Sequence, residues 1–156
     1  MIMVEDREFV IRDPDYQKRI RQSFSRQGFM ALLDAEMTTL EPGICEIGVN
    51  FRPDLTQQKG YFHGGVLGTL ADTACGYAAY SLMAAEDSLL TVEYKINITG
   101  PGDGDRIIAR ANVVKAGRRL TICEGRLYNE TSGQRTECGL VMATMMRLPD
   151  TSDLPD

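Results

Sequence analysis

Tryptophan is absent from this chain and histidine occurs once in 156 residues. With one histidine and no CxxC pair among Cys45, Cys75, Cys123 and Cys138, a metal site would have to be assembled from scattered residues. The cysteines read instead as reduced, mostly buried thiols of a cytoplasmic protein. A basic excess is also missing. Lys and Arg number 17 against 22 Asp and Glu, a formal net charge of -5, which argues against a broad nucleic-acid surface but not against a few local cations meeting a phosphate. Long hydrophobic runs are scarce too. The one of membrane-spanning length, 66–85, is interrupted by Gly68, Thr69, Thr73, Gly76 and Ser81, carries Asp72, and ends at Glu86-Asp87 without a basic flank, so it reads as a helix wrapped by protein. At the N-terminus, acids precede any apolar run, which excludes a signal peptide from the reading.

What remains is ordinary globular composition, 43% hydrophobic and 25% charged. One domain over 1–150 is expected, with a polar, Pro-bearing tail at 151–156 expected to be disordered. Asp13 as N-cap, Pro14 at the first helical position and Gly28 as terminator predict a helix over about 13–27, with Lys18, Arg19, Arg21 and Arg26 on a solvated face. Segments 29–40 and 43–51, split by Glu41-Pro42-Gly43, read as a hairpin, and 51–60 as a loop. A helix follows over about 64–84. From residue 89 the period falls to two, and four antiparallel strands are predicted, joined by TGPGDGD, AGR and TSG. The sum is an α+β fold with about six strands against one long helix rich in small residues.

The chemistry concentrates in YFHGGVLGTLADTACGYAAY, residues 61–80. A helix starting near Gly64 presents unpaired, partly positive amides, and the glycines allow close approach of a substrate carbonyl. That is the equipment of an oxyanion hole. Asp72, in apolar surroundings, should have a raised pKa and can act as general base or nucleophile, unless Thr69 or Thr73 simply satisfies it as a structural carboxylate. Gly64 and Asp72 are eight residues apart, about 12 Å along a helix. Both must stand within roughly 3 Å of a reacting carbonyl. Two copies with antiparallel helices would pair Gly64 of one with Asp72 of the other, so a dimer with two interfacial sites is expected.

His63-Gly64-Gly65 followed by Leu70-Ala71-Asp72 resembles the HGGxxxxLAD signature of hotdog-fold acyl-CoA thioesterases, the phenylacetate-pathway (PaaI-like) branch in particular. The likeness extends over about 29–147 and includes the ITGPGDGD turn. It implies an antiparallel sheet wrapped around a central helix, homodimers that often pair into homotetramers, and hydrolysis of acyl-CoA thioesters. No separate cofactor is implied, since coenzyme A belongs to the substrate, and no nucleic-acid or membrane partner is expected. By position, the resemblance makes Asp72 the catalytic carboxylate and the partner's Gly64 amide the carbonyl polariser. Gln57 stands where the family has an Asn or Gln near the attacked carbonyl, most often Asn in the phenylacetate branch. Thr91 matches a Ser or Thr that positions water, unless it is an ordinary strand residue. His63 is counted among the catalytic-site residues, either exchanging protons or, as the resemblance implies more often, fixing the loop and helix start, and Gly65 is assigned to substrate binding. Arg118 and Arg119, with Lys115 and Arg126 nearby, could meet the CoA phosphates or merely keep a hairpin tip soluble. Tyr77, Tyr80 and Leu82 are candidates for the acyl pocket. Two other readings stay open on this fold: an enoyl-CoA hydratase-like enzyme, which needs a His–acid pair, and a non-catalytic acyl-CoA-binding module.

Overall fold

The computed structural model describes residues 9–152. The expectations for the extreme N-terminus, and for residues 153–156 of the tail, lie outside them. Helices α1 (Tyr16–Ser25) and α2 (Gly28–Leu33) precede strands β1 (Glu36–Glu41) and β2 (Ile44–Asn50). A single tight turn at Pro53–Leu55 leads to the central helix α3 (Gly64–Tyr80), followed by β3 (Ser88–Ile98), β4 (Arg106–Ala116), β5 (Leu120–Thr131) and β6 (Gln134–Leu148). All strand pairs are antiparallel, in the order β1-β2-β4-β5-β6-β3, so β1 and β3 are the edges. The sheet curls around α3 in the expected hotdog arrangement.

Eleven of the seventeen residues of α3 are buried, covering most of its circumference and leaving one open stripe at Gly65, Thr69, Asp72 and Gly76. Its small residues let the sheet close in. At Gly125 of β5 an added Cβ would lie 2.7 Å from Val141 and 3.6 Å from the Cys75 sulfur. Along β5 the buried positions Thr121, Cys123, Gly125, Leu127 and Asn129 alternate with partly exposed ones, giving one face to the core. All four cysteines are free and buried in that core. Among the described residues no helix is long and apolar enough to cross a membrane.

Several boundaries differ from those read in the sequence. Residues 29–33 are helix rather than strand. FMALL has the apolar density of a strand, but Met30 and Leu33 are buried while Phe29 and Leu32 are exposed, a helical spacing, and α2 ends at Asp34 in the left-handed region (φ 54°). Gly28 therefore opens α2 instead of closing α1. The first helix begins at Tyr16, not at Pro14. Asp13 still serves its approach, since its side chain accepts from the Asp15 amide at 2.9 Å. The central helix stops at Tyr80, short of residue 84. Thr151 in the tail is bonded to the Leu148 carbonyl at 2.8 Å and to Ser88 at 2.7 Å.

Arg19 is the largest departure from the expected solvated face. It is 4% exposed. Its Nε donates to Asp13 at 2.7 Å, one terminal nitrogen donates to the Met83 carbonyl at 3.1 Å, and the guanidinium lies 4.1 Å over the Tyr80 ring. Arg19 thus binds α1 to the chain leaving the C-terminal end of α3, where a cation also meets the negative end of the helix dipole.

Candidate active site

Helix α3 runs antiparallel to β3 and meets it along one ridge of residues four apart. A Cβ on Gly64 would stand 3.3 Å from Ile98, one on Gly68 would stand 3.4 Å from the Tyr94 hydroxyl, and one on Gly76 would stand 3.8 Å from Leu89. Asp72 belongs to the same ridge and faces Thr91. Such contacts alternate along a regular strand, yet Leu89, Thr91, Tyr94 and Ile98 do not share one parity. The register with β6 shifts between Thr91 and Glu93, a bulge that turns both Thr91 and Tyr94 toward the helix.

The Thr91 hydroxyl donates to Asp72 Oδ1 at 2.8 Å. The Met145 sulfur is 3.4 Å from the same hydroxyl, a longer and weaker alternative. Neither Thr69 nor Thr73 satisfies the carboxylate, and Thr69 instead donates to the Gly65 carbonyl at 2.8 Å. Burial pushes the Asp72 carboxyl above its ordinary pKa, and the bond from Thr91 partly opposes that rise. The result is a half-buried carboxylate that holds its proton more readily than an exposed aspartate. It faces a cavity of about 250 Å³ whose walls include Thr91, Tyr77, Tyr80, Leu89, and Ser23 and Gln27 of the N-terminal helical region.

The other half of the expected machinery lies at the opposite end of α3. His63 caps the helix, its Nδ1 accepting from the Gly65 amide at 2.8 Å. An accepting Nδ1 carries no proton, which leaves the hydrogen on Nε2. His63 thus caps the start of α3, and Gly65 spends its amide on that cap. No hydrogen bond to the Gly64 amide occurs among the described residues, and Gly64 is half-buried beside exposed Ile98. Within one chain, then, the Gly64 amide and Asp72 do not converge. They stand two helical turns apart, one near each end of the β3 edge.

Gln57 lies in a turn closed by the Gln57 amide to the Tyr61 carbonyl at 2.9 Å, and its side-chain oxygen accepts from the Lys59 amide. That bond directs the oxygen into its own loop. Arg118 and Arg119 are exposed on the β4–β5 turn. The Arg147 amide donates to the Arg119 carbonyl at 2.8 Å, and Leu120 pairs with Met146, which pairs in turn with Leu90. The turn therefore shares the end of the sheet that holds Thr91. Lys115 is exposed nearby, whereas Arg126 is engaged by Glu137 at 3.2 Å. Tyr77 and Tyr80 line the cavity, while Leu82 does not.

Sequence reasoning missed Ser23 and Gln27. Nothing in DPDYQKRIRQSFSRQ announces a pocket wall; only the amphipathic character of α1 says that one of its faces must meet the body of the fold. Gln27 Nε2 donates to the Tyr77 hydroxyl at 2.8 Å, and Ser23 Oγ is 3.2 Å from that hydroxyl.

Residues 59–136 match the Thioesterase superfamily. A crystal structure of a thioesterase family protein from Silicibacter pomeroyi is 43% identical, with a TM-score of 0.84 over 86% of this chain and 98% of that one. The PaaI protein of the phenylacetic acid degradation operon of E. coli, 20% identical, shares the fold with a TM-score of 0.79 over 88% of this chain and 96% of its own. A curated relative, the medium/long-chain acyl-CoA thioesterase YigI of Salmonella typhimurium, is 23% identical over 117 residues, 65% of this chain and 76% of that protein.

Proposed function

The chain belongs to the thioesterase superfamily and is a thioester hydrolase, and on that premise we propose that it hydrolyses acyl-CoA thioesters at two sites shared across a homodimer. The observation that carries this reading is the placement of two incomplete halves on one helix. A carboxylate with a raised pKa, held by Thr91, faces a cavity, and an uncommitted helix N-terminal amide stands two turns away. Antiparallel pairing of two α3 helices would bring each half to its complement.

In each site the thioester carbonyl lies against the Gly64 amide of one subunit, where the helix dipole and N–H stabilise the oxyanion. Asp72 of the other subunit either takes a proton from water as it attacks, or attacks the carbonyl itself to form an anhydride that water then opens. The tetrahedral intermediate collapses with loss of CoA thiolate. Thr91 holds the carboxylate in position. Gln57 has a lesser part, because its amide would first have to leave the turn with Lys59. Arg118 and Arg119, at the same end of the sheet as Thr91, would receive CoA phosphates. The edge position of β3, with Leu90, Val92, Tyr94 and Ile98 exposed along it, supports the dimer. Cytoplasmic residence belongs to the same proposal, since buried unpaired thiols suit a reducing compartment.

The hydratase reading needs a histidine free to exchange protons, and the capping bond of His63 Nδ1 weighs against it. A panel of acyl-CoA thioesters followed by thiol release tests the proposal directly. Turnover in the wild type with near-complete loss in Asp72→Asn is expected, and equal rates in the two would exclude this site. Single turnover in ¹⁸O-water bears on the two roles of Asp72: label retained in Asp72 demonstrates an anhydride opened at the aspartyl carbonyl, whereas label confined to the acid product favours direct water attack.

A further inference from the structure

The cavity beside Asp72 has a polar far wall supplied by the N-terminal helical region. Tyr77 lies five residues beyond Asp72, about 7.5 Å along the helix axis. Its ring is fixed edge-on against Phe24, with centroids 5.9 Å apart, and tilted against Tyr80 at 6.5 Å. The phenol oxygen is therefore set in place, and Gln27 Nε2 donates to it at 2.8 Å. Gln27 is fixed in its backbone as well. Its amide donates to the Phe24 carbonyl and its carbonyl accepts from Ala31, both at 3.1 Å, as the residue that caps α2. With one end of the planar side-chain amide committed to Tyr77, the Oε1 end is oriented too, and it accepts no hydrogen bond from any described residue.

Size adds a second constraint. At roughly 30 Å³ for each water-sized group, a cavity of about 250 Å³ holds about eight such groups. An acyl chain that reaches the far wall with an apolar end would strip water from the Gln27 carbonyl without replacing the lost hydrogen bond.

We propose that Gln27 is a specificity-determining residue, whose side-chain carbonyl reads a hydrogen-bond donor at the far end of a short acyl group seated between Asp72 and the Gln27–Tyr77–Ser23 wall. The proposal rests on the acyl-CoA reading above. It concerns which acyl groups are selected, and it does not involve the bond-breaking step.

The test compares hexanoyl-CoA with ω-hydroxyhexanoyl-CoA, a short acyl pair that differs only in a terminal hydrogen-bond donor. Affinity is measured by calorimetry on the non-hydrolysable thioether counterparts, with a methylene between sulfur and carbonyl, and hydrolysis on the thioesters themselves. The wild type should bind the hydroxylated analogue about tenfold more tightly, the scale of one hydrogen bond lost at a partly buried carbonyl. Gln27→Met, similar in length but without an acceptor, should bring the two affinities together, whereas Gln27→Glu keeps an acceptor and should keep the preference. The ratio of two ligands on one protein sample is insensitive to a fraction of unfolded variant. Equal affinities in the wild type, or a preference that survives in Gln27→Met, overturn the proposal. Should the thioether preference hold while neither thioester is cleaved, the subsite stands and the hydrolase reading falls. Should both be cleaved and bound alike, the subsite alone falls.

Discussion

At Asp72 two influences oppose each other and burial wins, leaving the carboxyl more basic than an exposed aspartate. Hydrolysis that needs the ionised form should therefore fall as the pH drops through this raised value, at a higher pH than an exposed aspartate would titrate. Thr91→Val keeps the shape of the side chain but removes the bond that favours ionisation. Its acid limb in a kcat/KM profile should move to still higher pH; a limb that stays in place or moves down would show that the bond at 2.8 Å does not tune this group. Asp72→Asn should lower kcat/KM by about 10²- to 10⁴-fold. The same substitution has a stability signature of opposite sign. Between the unfolded carboxyl's ordinary pKa and the raised native value, the native state holds more proton than the unfolded one, so stability falls as pH rises across that interval. Its contribution is complete below the unfolded value and is lost above the native one. Asp72→Asn should accordingly melt at a higher temperature than the wild type at neutral pH and show a flatter dependence of Tm on pH in the acid range. A lower Tm would mean that the ionised carboxylate is satisfied by its surroundings and is not poised for chemistry.

Among the elements, α1 packs through buried Tyr16, Ile20 and Ser23 and through one buried cation, Arg19. Breaking a buried pair by removing one partner leaves the other charge stranded, so Arg19→Met should cost about 3 kcal/mol of unfolding free energy in urea, measured against 0–1 kcal/mol for a substitution at exposed Lys18. The same attachment explains what could and could not be read from the chain. β4 and β6 were legible to the residue, because alternation of side chains across a half-buried sheet prints a period of two in the sequence. The start of α3 was legible because HGG is local chemistry. The burial of Arg19 was not, since its partners Asp13, Tyr80 and Met83 are gathered by tertiary packing rather than by spacing. Segment 29–33 was misread for a related reason: a single helical turn and a half is too short to show a period, and its apolar residues meet different neighbours on different sides. The bulge at Thr91–Glu93 was equally hidden, although it decides that Thr91 rather than Val92 faces Asp72. HGG, Asp72, Tyr77 and Tyr80 could thus be picked out as candidates from sequence, whereas Ser23 and Gln27 of the same cavity could not.

For the molecule as a whole, the two edges of the sheet are unequal. At β1 the outward carbonyls of Leu40 and Met37 accept from Gln17 and Arg21 of α1, at 3.1 and 3.3 Å. Nothing among the described residues does this for β3, whose exposed side chains include Leu90, Val92, Tyr94 and Ile98 alongside Thr91, Glu93, Lys95 and Asn97. A lysine at Val92 should therefore shift sedimentation toward monomer, and hydrolysis should fall in parallel if each site needs two chains. Complementation is the sharper experiment, because it distinguishes a shared site from a dimer that merely holds two separate ones. Gly64→Ala adds a methyl 3.3 Å from the flexible end of Ile98, a contact the side chain can relieve, so this variant should fold while obstructing the amide. Asp72→Asn lacks the carboxylate and keeps the amide. Each variant alone has no intact site. After the two are unfolded together and refolded in equal amounts, half of the dimers are hybrids, and each hybrid unites the unmodified Asp72 of one chain with the unmodified Gly64 of the other in one of its two sites. Activity should return to about a quarter of the wild-type value. If the mixture shows only the sum of its two parents, both groups act within a single chain or not at all, and the separation of Gly64 from Asp72 along α3 leaves only the second of these.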